Sequence, residues 1–208
     1  MHIEFLVEEL SAEVALVNLV PKILPQEVTF KIHSFQGKKN LLKKLPKRLQ
    51  GYKQWLPLDW RIVILIDEDR QDCLELKSKL DKISSEAGLI TKSAALINSQ
   101  FQVLNRLAIE ELEAWFFGDV EAIIAAYPKV PSNLAQHRKY RNPDGIKGGT
   151  GEALEKLLKQ KGYHRGGLEK IKAAREISVN MDPQRNRSKS FQVFRDGLLS
   201  MVNYQSPS

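Results

Sequence analysis

The chain has one cysteine, Cys73, in 208 residues. That excludes a disulfide framework and makes a reducing cytoplasm the simplest setting. No apolar run approaches the roughly 20 residues of a membrane span. The N-terminus carries Glu4, Glu8, Glu9 and Glu13 and lacks a basic leader, so it does not read as a signal peptide. His2, His33, His137 and His164 are scattered, and none stands at zinc-ligand spacing from Cys or another His. No internal repeat occurs. Residues 141–151 are glycine-rich, but they lack the Gly-Lys-Ser/Thr order of a P-loop and no strand precedes them. They read as a flexible connector. Cys73 has no triad partners in sight and reads as a core thiol. Trp55, Trp60 and Trp115 read as packing residues.

Acid is missing altogether from residues 28–58, which hold seven lysines and Arg48. Residues 129–189 carry fifteen Lys and Arg against six Asp and Glu. Residues 1–27 and 59–128 are net acidic, within an overall charge of +7. An acidic centre flanked by basic regions suits a metal site surrounded by a phosphate-binding surface. Ordinary solvated lysine-rich helices are the bland alternative.

With 42% hydrophobic residues, the chain can bury a core. Residues 2–7, 28–35 and 61–66 read as strands, the last apolar on both faces as in a central parallel strand. Residues 93–97 and 101–108 are weaker strand candidates. Helices are expected at 11–20, with Ser11 as N-cap and Pro21 kinking or ending it, and at 38–50 and 71–87. Beyond a break near residue 128, helices are expected at 152–161, 167–177 and 189–202. This pattern gives an α/β fold with a mostly parallel sheet flanked by helices. It divides into a core over 1–127 and a helical C-terminal third over 128–208 packed on it, the two forming one unit.

Strand 2–7 runs into Glu8-Glu9, and strand 61–66 into Asp67-Glu68-Asp69. Parallel strands bring such ends to one sheet edge, where open α/β sheets place their sites. Glu8, Asp67 and Asp69 would gather there and repel one another unless a proton or cation intervened. Oxygen ligands suit Mg²⁺ or Mn²⁺. Helical spacing puts Glu13 on the apolar side of its helix, either toward the site or as a helix-dipole partner. Across 109–117 the same spacing turns Glu113 inward, leaves Glu110 at the border and points Glu111 to solvent. An ordinary ion pair is the alternative role for Glu113. Asp72 reads as an outer neighbour of the site.

The segments Leu6–Glu13 and Ile64–Cys73 resemble the two signatures of the Toprim (topoisomerase–primase) fold. In that fold a glutamate ends the first strand and an Asp-x-Asp ends a later one. Residues 105–117 and 187–191 extend the resemblance to a Toprim-like group, the domain-of-unknown-function 4276 family. By position, Glu8, Asp67 and Asp69 match the Toprim acids. Glu9 stands where a glycine usually follows the first glutamate, which leaves Glu8 and Glu9 both open as ligands. The resemblance implies a Mg²⁺- or Mn²⁺-dependent nuclease for DNA or RNA. Glu8, Asp67 and Asp69 would hold the metal, with Glu13 and Glu113 completing its shell. Lys38, Lys39, Lys43, Lys44, Lys47, Arg48, Arg138, Lys139, Arg141 and Arg187 would contact flanking phosphates. Some proteins of this kind look like ATPase partners in phage defence or toxin–antitoxin pairs. This sequence has no ATPase motif, so an ATPase would come from another chain. The alternative is a non-catalytic nucleic-acid-binding or regulatory subunit that keeps the Toprim shell.

Overall fold

A computed structural model describes residues 1–96 and 99–202. The elements run β1 His2–Val7, α1 Leu10–Ile23, β2 Thr29–Ser34, α2 Lys38–Trp55, β3 Trp60–Asp67, α3 Cys73–Glu86 and β4 Val103–Ala108. Then come α4 Glu113–Gly118, α5 Val120–Ala126, α6 Thr150–Gln160, α7 Lys170–Ser178 and α8 Lys189–Val202. The four strands form one sheet in the order β2-β1-β3-β4, and every pair is parallel. The architecture is α/β, with helices flanking the sheet and a helical C-terminal part, consistent with a Toprim-like fold.

Alternation along β3 explains its unbroken apolar run. Ile62, Ile64 and Ile66 join a cluster with the α2 stripe Leu41, Leu45, Leu49 and with Leu76 and Leu80 of α3. Val63 and Leu65 face the other way, into a larger cluster with α1 and the C-terminal helices. Ile177 of α7 and Phe191, Phe194 and Leu198 of α8 share that cluster with Ile3, Phe5 and Leu16. α7 packs along α1, and α8 lies against β4. Amide-to-carboxylate bonds hold the C-terminal part as well. Asp119, 1% exposed, receives the Arg185 guanidinium at 2.9 and 3.0 Å and the Asp182 N–H at 2.8 Å.

Three local expectations need correction. α1 continues through Pro21 to Ile23, because a proline in the last turn removes only one late hydrogen bond. Its N-cap is Glu9, and Ser11 is buried inside the first turn. Residues 93–96 form a turn rather than a strand: Thr91 makes a single bridge to Val103, and the amides of Ala94 and Ala95 fold back onto the Thr91 carbonyl. Ile97 of that candidate lies outside the described residues.

Candidate metal centre

The strand order fixes where a site can form. β1 passes to β2 on one side, and the next crossover returns to β3 on the other. The chain paths therefore diverge at the carboxyl ends of β1 and β3, which opens a crevice there. Glu8 and Asp67 occupy those two ends. Glu8 is 8% exposed, and its Oε2 accepts the Asp67 N–H at 3.2 Å. Burial pushes the Glu8 carboxyl above its ordinary value; the Asp67 N–H resists and the Asp69 carboxylate adds to the rise. Asp67 is pushed up much further, first by burial and then by Glu113, Glu8 and Asp69, with Lys170 opposing. Glu9 is exposed and extended, at φ −137°, so this turn does not need a glycine.

The loops beyond β3 and β4 are strained. Asp69, Arg70 and Glu110 have φ of 52, 60 and 61°. Non-glycine residues pay for that conformation and persist only where surroundings enforce it. Here the two loops clasp each other. Asp69 N–H donates to the Glu110 carbonyl at 2.9 Å, and Glu110 N–H donates to the Glu68 carboxylate at 3.0 Å. Asp69 itself is exposed and pairs with Lys38 at 2.8 Å.

Glu113 is 3% exposed at the start of α4. Burial raises its carboxyl to about 7, against the pull of Lys170, whose Nζ stands 3.8 Å away. Glu111 departs from expectation. It is half-buried, accepting the Gly151 N–H at 2.6 Å, the Thr150 hydroxyl at 3.2 Å and Lys170 at 3.4 Å. The helix begins only at Glu113, so helical spacing does not govern residues 110 and 111. Burial alone would raise the Glu111 carboxyl, yet the Gly151 N–H, Lys170 and Thr150 hold it below its ordinary value. The glycine-rich segment is thus no idle connector. Gly149, at φ 94°, leads into α6, and the Gly151 N–H and Thr150 hydroxyl of its first turn bind Glu111.

Lys170 at the start of α7 ties these acids together. Burial disfavours its charge, but Glu113, Glu111, Glu9 and Asp67 raise its pKa above the lysine value. Beside it, a cavity of about 620 Å³ opens at the same edge, lined by Glu9, Phe35, Gly37, Lys170, Lys172 and Arg175. Nothing in its local sequence marks Lys170, a lysine among many.

Other candidates lie elsewhere. Glu13 accepts from the Ser34 hydroxyl at the end of β2, two strands from Asp67. Its helix turn points it along the sheet edge to that strand rather than into the crevice. Asp72 caps α3, accepting from the amides of Leu74 and Glu75 at 2.8 and 2.9 Å, and so has a structural role. Cys73 is half-buried and belongs to neither apolar cluster. Lys38 is partly buried on Asp69 and the Glu68 carbonyl, so it belongs to the acidic edge. Lys39, Lys43, Lys44, Lys47 and Arg48 are exposed on α2; Arg138, Lys139, Arg141 and Arg187 are exposed on C-terminal loops. Trp115 is fully buried as a packing residue, whereas Trp55 is 55% exposed.

Oxygen donors at Glu8 and Asp67, crowded by further carboxylates, fit a hard divalent ion by their chemistry. Among the described residues, no three His, Cys, Asp or Glu side chains stand arranged to grip one. Lys38 and Lys170 hold the neighbouring acids instead.

The family whose description reads "Domain of unknown function (DUF4276)" matches residues 7–199, nearly the whole chain. The chain belongs to this family. Glu8 after β1, the whole of β3, the Glu113 helix and Lys170 of this DUF4276 protein lie inside the matched region, which takes in only Val7 of β1. None of the curated proteins matches it. One similar solved structure is the C-terminal region of the Xanthomonas campestris pv. campestris OLD protein, 12% identical over 97% of this chain and 98% of that chain, with a TM-score of 0.45. No helix among the described residues of the DUF4276 chain is long and apolar enough to cross a membrane.

Proposed function

We propose that this protein is a Mg²⁺- or Mn²⁺-dependent nuclease that hydrolyses phosphodiester bonds of DNA or RNA. One observation carries the reading. Asp67 stands at the switch point of a parallel sheet, its carboxyl forced far upward by burial and by three neighbouring carboxylates. A divalent cation relieves that repulsion, and functional sites are where such perturbed groups collect. Glu8 and Asp67 would hold the ion, joined by Asp69 once Lys38 lets go. A bound ion supplies an activated water and offsets charge on the phosphate.

The chain's own groups supply the rest. Lys170 can exchange its carboxylate partners for a phosphate oxygen. Glu113, with its carboxyl near 7, can hold or release a proton at neutral pH. Lys172 and Arg175 line the adjoining cavity, and the exposed cations of α2 and the C-terminal loops can position flanking phosphates. The resemblance to the Toprim signatures agrees with this reading. An ATPase partner in phage defence or a toxin–antitoxin pair would be a separate chain.

A second reading, a non-catalytic nucleic-acid-binding or regulatory subunit, draws on Lys38 and Lys170. Both neutralise neighbouring acids without a metal. Calorimetric titration of Mg²⁺ and Mn²⁺ separates the two. The nuclease reading expects saturable heat from the parent protein and none from Asp67→Asn. Absence of heat from the parent with either ion overturns it in favour of the subunit.

A further inference from the structure

Within β1, four residues before Glu8, Glu4 is 5% exposed and fully engaged. Its Oε2 accepts from the Tyr52 hydroxyl at 2.7 Å and meets His33 Nε2 at 2.5 Å, while Oε1 meets His2 Nε2 at 3.1 Å. Arg48 donates to the Tyr52 hydroxyl at 3.1 Å and lies over the Tyr52 ring, 5.1 Å from its centre. Next to this network is a cavity of about 400 Å³ between β2 and α2, with Lys31, Lys47, Arg48 and Trp55 on its rim. Its volume falls in the ordinary range for small-ligand sites.

The charge of this cavity is unbalanced. Glu4 is its only acid, and both of its oxygens are already taken. Lys31 and Lys47 are exposed and have no ion-pair or hydrogen-bond partner among the described residues. Among the described residues Arg48 donates only to the Tyr52 hydroxyl; His33 Nε2, 3.3 Å away, gives its proton to Glu4. Trp55 packs edge-on against Trp60, with ring centres 5.6 Å apart at 79°, and tilts on Tyr52, which leaves more than half of the residue open to solvent. A purely structural network would account for Glu4 and Tyr52. It would not call for three cations and an open indole around an empty space.

Position adds a further argument. α2 begins at the acidic edge, where Lys38 pairs with Asp69. Arg48 lies ten residues on, roughly 15 Å along the helix axis. Lys39, Lys43 and Lys47, spaced by four, form one exposed ridge between the two places.

We propose that this cavity is a nucleotide subsite, in which Lys31, Lys47 and Arg48 take a phosphate of single-stranded nucleic acid and Trp55 stacks on its base. The choice of ligand rests on the nuclease reading above. A single strand is required because a base must leave its neighbour to stack on an aromatic side chain.

The test is binding of a 5′-labelled twelve-residue oligothymidylate in EDTA, followed by fluorescence anisotropy and tryptophan quenching. The parent should bind with steep salt dependence and quench. Trp55→Ala should weaken binding roughly tenfold, and Trp55→Phe should keep most of it. Lys31→Glu with Lys47→Glu, both at exposed positions, should weaken it at least as much. A duplex of matching length should be indifferent to Trp55→Ala. Because binding is read in EDTA it does not depend on a metal, so failure of metal binding in the calorimetric titration and failure of this subsite are read separately. If Trp55→Ala does not fold, the lysine pair decides. Absence of parent binding, or parent-like affinity in both folded Trp55→Ala and the Lys31→Glu/Lys47→Glu pair, overturns the subsite.

Discussion

Glu4 lies inside β1 and Glu8 just past its end, both almost inaccessible, and their carboxyls move in opposite directions. Burial would raise both. At Glu4 the Tyr52 hydroxyl, His33 and His2 more than offset it, and the carboxyl sits below its ordinary value. At Glu8 the backbone N–H of Asp67 and the charge and backbone N–H of Lys38 do not, and Asp69 adds to the rise. Burial therefore sets the size of an electrostatic demand, and the partners decide whether it is met. The inner end of β1 is a satisfied network beside a basic cavity. Its outer end is an unsatisfied one, and Asp67 and Glu113 deepen the deficit.

Five changes bear on that contrast. The largest effect belongs to Asp67→Asn, which should lower Mn²⁺-dependent cleavage of a labelled oligonucleotide by at least about a hundredfold, as loss of a metal ligand does. Cleavage at the parent rate would mean the crowded edge is not the catalytic centre.

Glu113→Gln tests crowding without metal. The Glu113 carboxyl sits near 7 when folded and near 4.5 when unfolded. Between those values the folded state binds the extra proton, so stability falls as pH rises through the window. The variant should lose that slope and exceed the metal-free parent at pH 8 by up to about 3 kcal/mol in urea unfolding. Parallel pH profiles would leave Glu113 as a plain ion-pair partner of Lys170. Glu111→Gln should instead destabilise, because it weakens charge-assisted bonds at the start of α6.

Glu4→Gln should behave in the opposite sense to Glu113→Gln. A lowered carboxyl contributes stability above its unfolded value and loses it as pH falls. The variant should be destabilised by about 1–3 kcal/mol at pH 7, with the deficit shrinking toward pH 4. A deficit that grows on acidification would contradict the network described. The smallest effect is expected from Lys43→Glu with Lys44→Glu. Affinity for nucleic acid should drop severalfold for every sequence alike, and the salt dependence should become shallower. A sequence-selective loss would point to base reading by this helix.

The sheet and its acidic edge could be read from residue patterns because both depend on local rules. The run Ile62–Ile66 has no polar side to show to water, so it must be central, and acids at the ends of two parallel strands must share an edge. The leucine stripe of α2 is equally local. What escaped the sequence depends on distance or on where an element starts. Lys170 reaches Glu113 from 57 positions downstream, and nothing in its neighbourhood marks it among the basic residues. Glu111 was misread because α4 starts at Glu113, four residues later than the helical pattern over 109–117 suggests. Asp72 resembles an outer metal neighbour in sequence but serves as a helix cap. Glu4 did carry a usable signal, a carboxylate in the middle of an apolar strand, which could not be buried without partners.

The place of Lys170 in the chain also orders events during synthesis. Glu8, Asp67 and Glu113 leave the ribosome well before α7 exists, and domains fold progressively as they emerge. An incomplete chain therefore carries the mutually repelling acids without the ammonium that draws Glu111 and Glu113 together. The crevice gains its cationic wall only when α7 docks along α1, so the complete charge pattern reports that the last third of the protein is in place.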